Sequence, residues 1–182
     1  VATGGKSYSG TGSSGAGYIF AQQTGHKVTK ISPSLVPIEI EELFVKDLCG
    51  LELKNINLSL FVNNKKKKEA FGDMTFMDYG VSGPIILTLS KFIVKELDKS
   101  KNLSIFIDLK PALDEKKLDN SLLRKLEEYN NGIFSDFLKK VLPIKLVPIF
   151  VDLLKINPKL ECNQITRKQR NDLRNLLKNF PL

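Results

Sequence analysis

Residues 56–62 read Ile-Asn-Leu-Ser-Leu-Phe-Val, apolar at alternate positions, which is the period of a strand with one buried face. The polar run Asn63–Glu69, with four consecutive lysines, then separates it from a second apolar stretch, Ala70–Met77. That order predicts a hairpin whose tip carries the lysines as a solvated loop, with phosphate contact as the alternative. Lys27–Ile31 and Leu35–Ile40 also read as strands, separated by a Ser-Pro-Ser corner. Gly83-Pro84 stops the sheet and opens a helix, with Pro84 at its first position, Ser82 as its cap, and Ile85, Leu89, Ile93 and Leu97 along one face. Leu103–Leu109 is again strand-like and is closed by Lys110-Pro111.

Beyond Pro111 the period changes from 2 to 3.6. Leu118, Leu122 and Leu126 mark one helix, Ile133, Phe134, Phe137 and Val141 a second, and Leu146, Ile149 and Leu153 a third. The last helix is announced by Thr166-Arg-Lys-Gln169, a capping box in which each end's side chain satisfies the other's backbone N–H. Leu173, Leu176, Leu177 and Phe180 give its apolar side. Arg167, Arg170, Arg174 and Lys178 form a basic stripe along it, read either as a solvated outer face or as a docking surface for RNA or another anionic partner. The chain is thus α+β, a mainly β block to about 110 and a helical block after it, behind a Gly/Ser/Thr-rich head.

In that head, Tyr18–Thr24 has the look of a short helix that Ser13 or Ser14 caps and Gly25 ends. Gly10–Gly15 spells G-x-G-x-x-G, yet a dinucleotide fingerprint needs a strand running straight into the glycines and an acidic residue about 20 positions on. Lys6–Ser9 interrupts the first requirement, and Glu39 comes too late for the second. Gly5-Lys6-Ser7 has the ending of a Walker A loop, but Tyr-Ser-Gly-Thr-Gly follows where a helix should begin.

Net charge is +8, unevenly placed: acids and lysines cancel over residues 1–64, whereas 139–178 hold ten Lys or Arg against Asp152, Glu161 and Asp172. A clustered basic excess favours anions, nucleic acid among them, although many Lys, Asn and Ile also follow from an AT-rich genome. No apolar run approaches the ~18 residues of a membrane span. The start at Val1 lacks the charged-then-apolar order of a signal peptide, so the expectation is a cytoplasmic segment from inside a longer polypeptide. Cys49 and Cys162 are expected to be buried free thiols, and one His with two Cys makes no zinc ligand set.

Val-Ala-Thr-Gly-Gly resembles the end of a strand in large flavoproteins, where glycine lets backbone approach bound FAD. With it come, in order, GTGSSGAGY, GHKV, PSLVPI, LCGLELKNI, FMDYGVSGPIILTLS, IDLKP and LKNFPL. This succession resembles a family of bacterial NAD(P)/FAD-dependent oxidoreductases, the group that includes BaiN and the aminoacetone-oxidase-like proteins.

The resemblance implies an FAD-binding domain split by an insert: residues 1–37 a fragment of that domain, 38–110 a small β-barrel-like antiparallel part of the insert, and 111–182 its helical part. It implies that Thr3, Gly4 and Gly5 lie near FAD. Gly12, Ser13 and Gly15 face cofactor or substrate, or else form a structural turn. Met77-Asp78 stands where the family often has Thr-His, and Ala16 where it often has Asp, so no catalytic residue is assigned. His26 matches the family and is read as a capping or packing residue. The implied chemistry is hydride transfer from NAD(P)H through FAD to an unsaturated or carbonyl small molecule, or the reverse with oxygen as acceptor, with the rest of the FAD domain supplied in cis. The insert would cover the flavin and shape the substrate site, and the fragment alone would be inactive. The other classes are an RNA-binding module acting through Arg167, Arg170, Arg174 and Lys178, and an insert that mediates dimerisation. The chain has no Trp and no aromatic-basic RNA motif.

Overall fold

The computed structural model describes residues 1–99 and 102–182, in two compact units, 1–34 and 35–182. The smaller unit holds a 3-10 turn at Ser9–Thr11 and helix α1 (Ala16–Gln23). Gly15, not Ser13 or Ser14, is the N-cap of α1. At the other end the His26 N–H bonds the Ala21 carbonyl and the Gly25 N–H that of Gln22, a Schellman closure made by a left-handed Gly25 (φ +84°). Lys27–Ile31 forms no strand.

The larger unit is built on an antiparallel six-stranded sheet curled into a half-barrel, in the order β1-β4-β3-β2-β5-β6. Its strands are β1 (Ile38–Glu39), β2 (Glu52–Val62), β3 (Lys65–Phe76), β4 (Gly80–Ser82), β5 (Leu103–Asp108) and β6 (Phe180–Pro181). Ile56, Leu58, Leu60 and Val62 of β2 are buried, as their alternation requires. The β2–β3 turn is only Asn63-Asn64, both left-handed (φ +50° and +60°), a conformation that matches hairpin twist and that asparagine tolerates. The lysine run therefore lies in β3 and not in a tip loop, with Lys65, Lys66 and Lys68 paired to Val62, Phe61 and Leu60.

Helix α2 (Pro84–Leu97) begins behind Gly83, which is its N-cap in place of Ser82, and buries Ile85, Ile86, Leu89 and Ile93. Leu97 stays half exposed. A Cβ on Gly83 would lie 2.8 Å from the Met74 Cα, and one on Gly80 would lie 2.0 Å from the Ile38 carbonyl oxygen. Glycine at these two positions is what lets α2 and β1 meet the backbone of their neighbours.

Four helices follow: α3 (Glu115–Glu128), α4 (Phe134–Val141), α5 (Val147–Leu154) and α6 (Arg167–Lys178). Asp114 caps α3 by accepting from the Lys117 N–H, and the Thr166–Gln169 capping box of α6 is complete. The chain then returns to the sheet as β6. There Phe180 is fully buried, stacked on Phe150 of α5 (5.5 Å between centroids) and tilted against Phe44 (5.7 Å). Removing a ring so placed costs about 3–5 kcal/mol, which makes Phe180 a principal tie between helices and sheet. Both edge strands are two residues long, and Ile38–Glu42 and Leu182 line one cleft together with Ile105. Cys162 is buried as expected, but Cys49 is exposed because it sits in the turn before β2.

Candidate functional site

In the smaller unit two contacts join residues expected near a cofactor, Gly5 with Gly15 and Gly4 with Ser13, whereas Gly12 meets none of them beyond its own turn. The Gly15 N–H donates to the Gly5 carbonyl at 3.0 Å, which ties Thr3–Gly5 to the start of α1. Gly4 is left-handed (φ +69°), and a Cβ there would sit 2.9 Å from the Ser13 Oγ. Thr3 rests on Gly17, where a Cβ would lie 2.5 Å from the Thr3 Oγ1. Thr3, Gly4 and Ser13 thus have packing roles inside the unit. Gly5 differs: its φ is outside the left-handed region, and a Cβ on it meets nothing within 4 Å. Gly12 also faces open space, but its φ of +84° alone requires glycine, because it closes the Ser9–Thr11 turn. The start of α1 has no side-chain cap; the Tyr18 N–H bonds the Gly15 carbonyl, which leaves the Ala16 and Gly17 N–H groups without an acceptor among the described residues. No contact inside the chain explains glycine at Gly5, nor at Gly10, where a Cβ also meets nothing within 4 Å. Helix α1 buries no residue, and Ile19 and Phe20 on it are about half exposed.

The departures at Met77-Asp78 lie in a tight turn, where the Met77 N–H bonds the Gly80 carbonyl. Ala16 is the first residue of α1. His26 acts through its backbone N–H at the helix end.

The basic stripe of α6 is placed differently from either sequence reading. Arg170 holds Asp119 of α3 through two bonds, Nε to Oδ1 at 3.0 Å and Nη2 to Oδ2 at 3.2 Å, with side chains only 14% and 22% exposed. Those hydrogen bonds hold the Asp119 carboxyl below its usual range; burial opposes them, and the charges of Arg170, Arg174 and Arg167 add to them. Arg174 reaches Glu115 at 3.8 Å and Asn175 at 3.1 Å. Lys178 pairs with Asp108 of β5 and donates to the carbonyls of Lys110 and Leu113. Three of the four cations therefore form a seam between α6, α3 and β5, because the acids there face α6. Arg167 is the exposed member.

Sequence reasoning missed a cavity of about 650 Å³ between the loop after β5 and the β2–β3 pair, lined by Lys54, Asn55, Phe71, Leu109, Lys110 and Pro111 among others. Its one sequence signal is Phe71, an aromatic in a polar strand that ends up 63% exposed.

A curled antiparallel half-barrel carrying a helical subdomain on its last strands defines a barrel-plus-helices module of α+β class. The chain belongs to the family described as HI0933-like protein barrel and H2TH domain, whose model matches residues 32–182. It is 24% identical over 173 residues to a 3-dehydro-bile acid delta(4,6)-reductase of Clostridium scindens, covering 95% of this chain and 42% of the relative. It is 28% identical over 152 residues to a ribosomal RNA dihydrouridine synthase of Haemophilus influenzae, covering 84% and 35%. The chain spans less than half the length of either relative. Among the described residues no helix is long and apolar enough to cross a membrane.

Proposed function

We propose that the chain is part of a cytoplasmic FAD-dependent oxidoreductase in which residues 1–37 contribute backbone to the flavin site and the half-barrel with its helices recognises the substrate. The observation that carries this reading is Gly5, a glycine that nothing inside the chain requires, placed beside an uncapped helix start in a chain of this family. FAD, when bound, supplies the hydride chemistry, and NAD(P)H is the proposed donor. Thr3, Gly4 and Ser13 hold the Gly5 backbone in place, and the N–H groups at the start of α1 offer donors to a phosphate.

The two relatives narrow the reaction. A delta(4,6)-reductase of a 3-dehydro-bile acid saturates ring double bonds in conjugation with a ketone, and dihydrouridine is uridine with two hydrogens added across a double bond beside a carbonyl. The reading that follows is reduction of a carbon–carbon double bond conjugated to a carbonyl, a hydride acceptor that needs no acid–base triad to be electrophilic.

The test is the visible spectrum of the complete polypeptide carrying this chain, purified without added cofactor, beside its Gly5→Val variant. A flavin band in the parent that is largely lost in Gly5→Val, with an unchanged far-ultraviolet circular dichroism spectrum, is expected. A colourless parent that takes up no added FAD, or a variant with full flavin content, refutes the reading.

A further inference from the structure

The cavity walled by Phe71, Leu109, Pro111 and Leu113 has no part in the flavin reading. It exists because β2 is irregular: the register with β3 shifts between Leu53 and Ile56, and Asn55 is left-handed there (φ +54°). This bulge and the loop after β5 leave about 650 Å³ between them, within the range of small-molecule sites. Its walls are mostly apolar, and the Phe71 ring lies 63% exposed beside it.

Lys110 belongs to the same lining, on a backbone fixed from both sides. Its N–H donates to the Asp108 Oδ1 at 2.8 Å, and its carbonyl accepts from the Leu113 N–H at 3.1 Å and the Lys178 Nζ at 3.3 Å. Its half-buried side chain has no ion-pair or hydrogen-bond partner among the described residues. The acids nearby are engaged otherwise: Asp108 also pairs with Lys178, and Asp73, beside the bulge, accepts the Asn55 N–H at 2.8 Å. Burial first, and then the like charge of Lys125 on α3, push the Lys110 amine below its ordinary value. A nitrogen without charge escapes both costs. The rim favours neither sign, since Lys54 and Asp73 flank the same bulge, each without an ion-pair partner among the described residues. The ligand that suits this lining is uncharged, has a flat apolar body and can bond to an amine.

We propose that the cavity binds a small aromatic aldehyde and holds it as an imine on Lys110, with the ring against Phe71. The Nζ lone pair adds to the carbonyl carbon while the C=O π pair moves to the oxygen, which takes a proton from the nitrogen. The carbinolamine then loses water as the C=N bond forms, so no further reactant is needed. The imine nitrogen carries no charge to bury, and water reverses the step. This site is independent of the flavin reading, and its test contains no flavin.

The experiment treats the full chain with benzaldehyde, traps imines with cyanoborohydride, which adds hydride to C=N, and maps the labelled lysines by peptide mass spectrometry as pH is raised. At low aldehyde and neutral pH, Lys110 is expected to be labelled about ten-fold or more faster than the exposed Lys91 and Lys116, the gain from placing a ring in an apolar cavity. Its rate is expected to saturate with aldehyde where theirs stays linear. Phe71→Leu keeps an apolar side chain at an exposed position but removes the ring, and is expected to slow Lys110 about 2- to 12-fold. Lys125→Gln removes the like charge and is expected to move the Lys110 pH profile to higher pH, with Lys91 and Lys116 unmoved. The other charges around the amine, Lys54, Asp73, Asp108 and Lys178, are the same in parent and variant. Labelling spread evenly over the lysines, a Lys110 rate without saturation, a full rate in Phe71→Leu, or a pH profile unmoved in Lys125→Gln overturns the proposal.

Discussion

Replacing Asp119 by Leu would leave the Arg170 guanidinium, 14% exposed, without the one carboxylate it pairs with among the described residues. Two charge-assisted hydrogen bonds are lost, each worth about 1.5–3 kcal/mol net, and water recovers part of this because neither side chain is fully enclosed. The expected loss is about 2–3 kcal/mol, or roughly 4–12 °C in Tm for a chain of this size. Arg170→Met with Asp119→Leu replaces the pair by apolar contacts and should recover at least about 1.5 kcal/mol of that loss. Urea unfolding of the four proteins, followed by helical circular dichroism, measures the cycle. Coupling below about 0.5 kcal/mol, the level of independent sites, would refute the seam. Acid supplies a second check. The folded Asp119 carboxyl is depressed, so its contribution is complete above the ordinary unfolded value of about 3.9 and disappears as pH falls through the folded value. The gap between parent and Asp119→Leu should therefore close below about pH 4, and a gap that persists would show that packing, not charge, is being measured. Reversing Arg170 to Glu would press two carboxylates together, so loss of an anionic partner in that variant would report a broken helix pair.

The two thiols should separate cleanly. Cys49 is exposed, whereas Cys162 is 3% exposed and its thiol is pushed up by burial and by Asp136, so one thiol per chain should react quickly with an aromatic disulfide reagent at neutral pH. Two fast equivalents would contradict the packing around Cys162. Gly80→Ala forces a Cβ into the Ile38 carbonyl and should cost about 3 kcal/mol or more, with faster amide exchange at Ile40, whose N–H bonds Tyr79. Exchange at Ile40 as slow as in the parent would show that β1 absorbs the change.

Features governed by neighbours in sequence were legible. The alternation in β2, the Gly-Pro start of α2, the leucine rows of α3 and the capping box of α6 all depend on residues within a few positions of one another. The lysines of β3 were not, since no alternation marks them: a two-residue Asn-Asn turn and a long pairing with β2 hold them extended. Lys27–Ile31 has strand-forming residues but no partner strand in its unit. The stripe of α6 misled because a helix's spacing gives a face, not what lies opposite it; the acid that Arg170 meets is 51 positions away. The Phe71 cavity was invisible because it depends on a register shift that composition does not encode.

The two edge strands β1 and β6 lie at opposite ends of the sheet order, yet the curl sets Ile38–Glu42 and Leu182 around the same cleft. A segment cut at two positions that close together can be joined to a surface loop of another fold without stretching that fold. The same geometry makes it portable: excised between about 35 and 182 and spliced into an unrelated host, it should keep its own core.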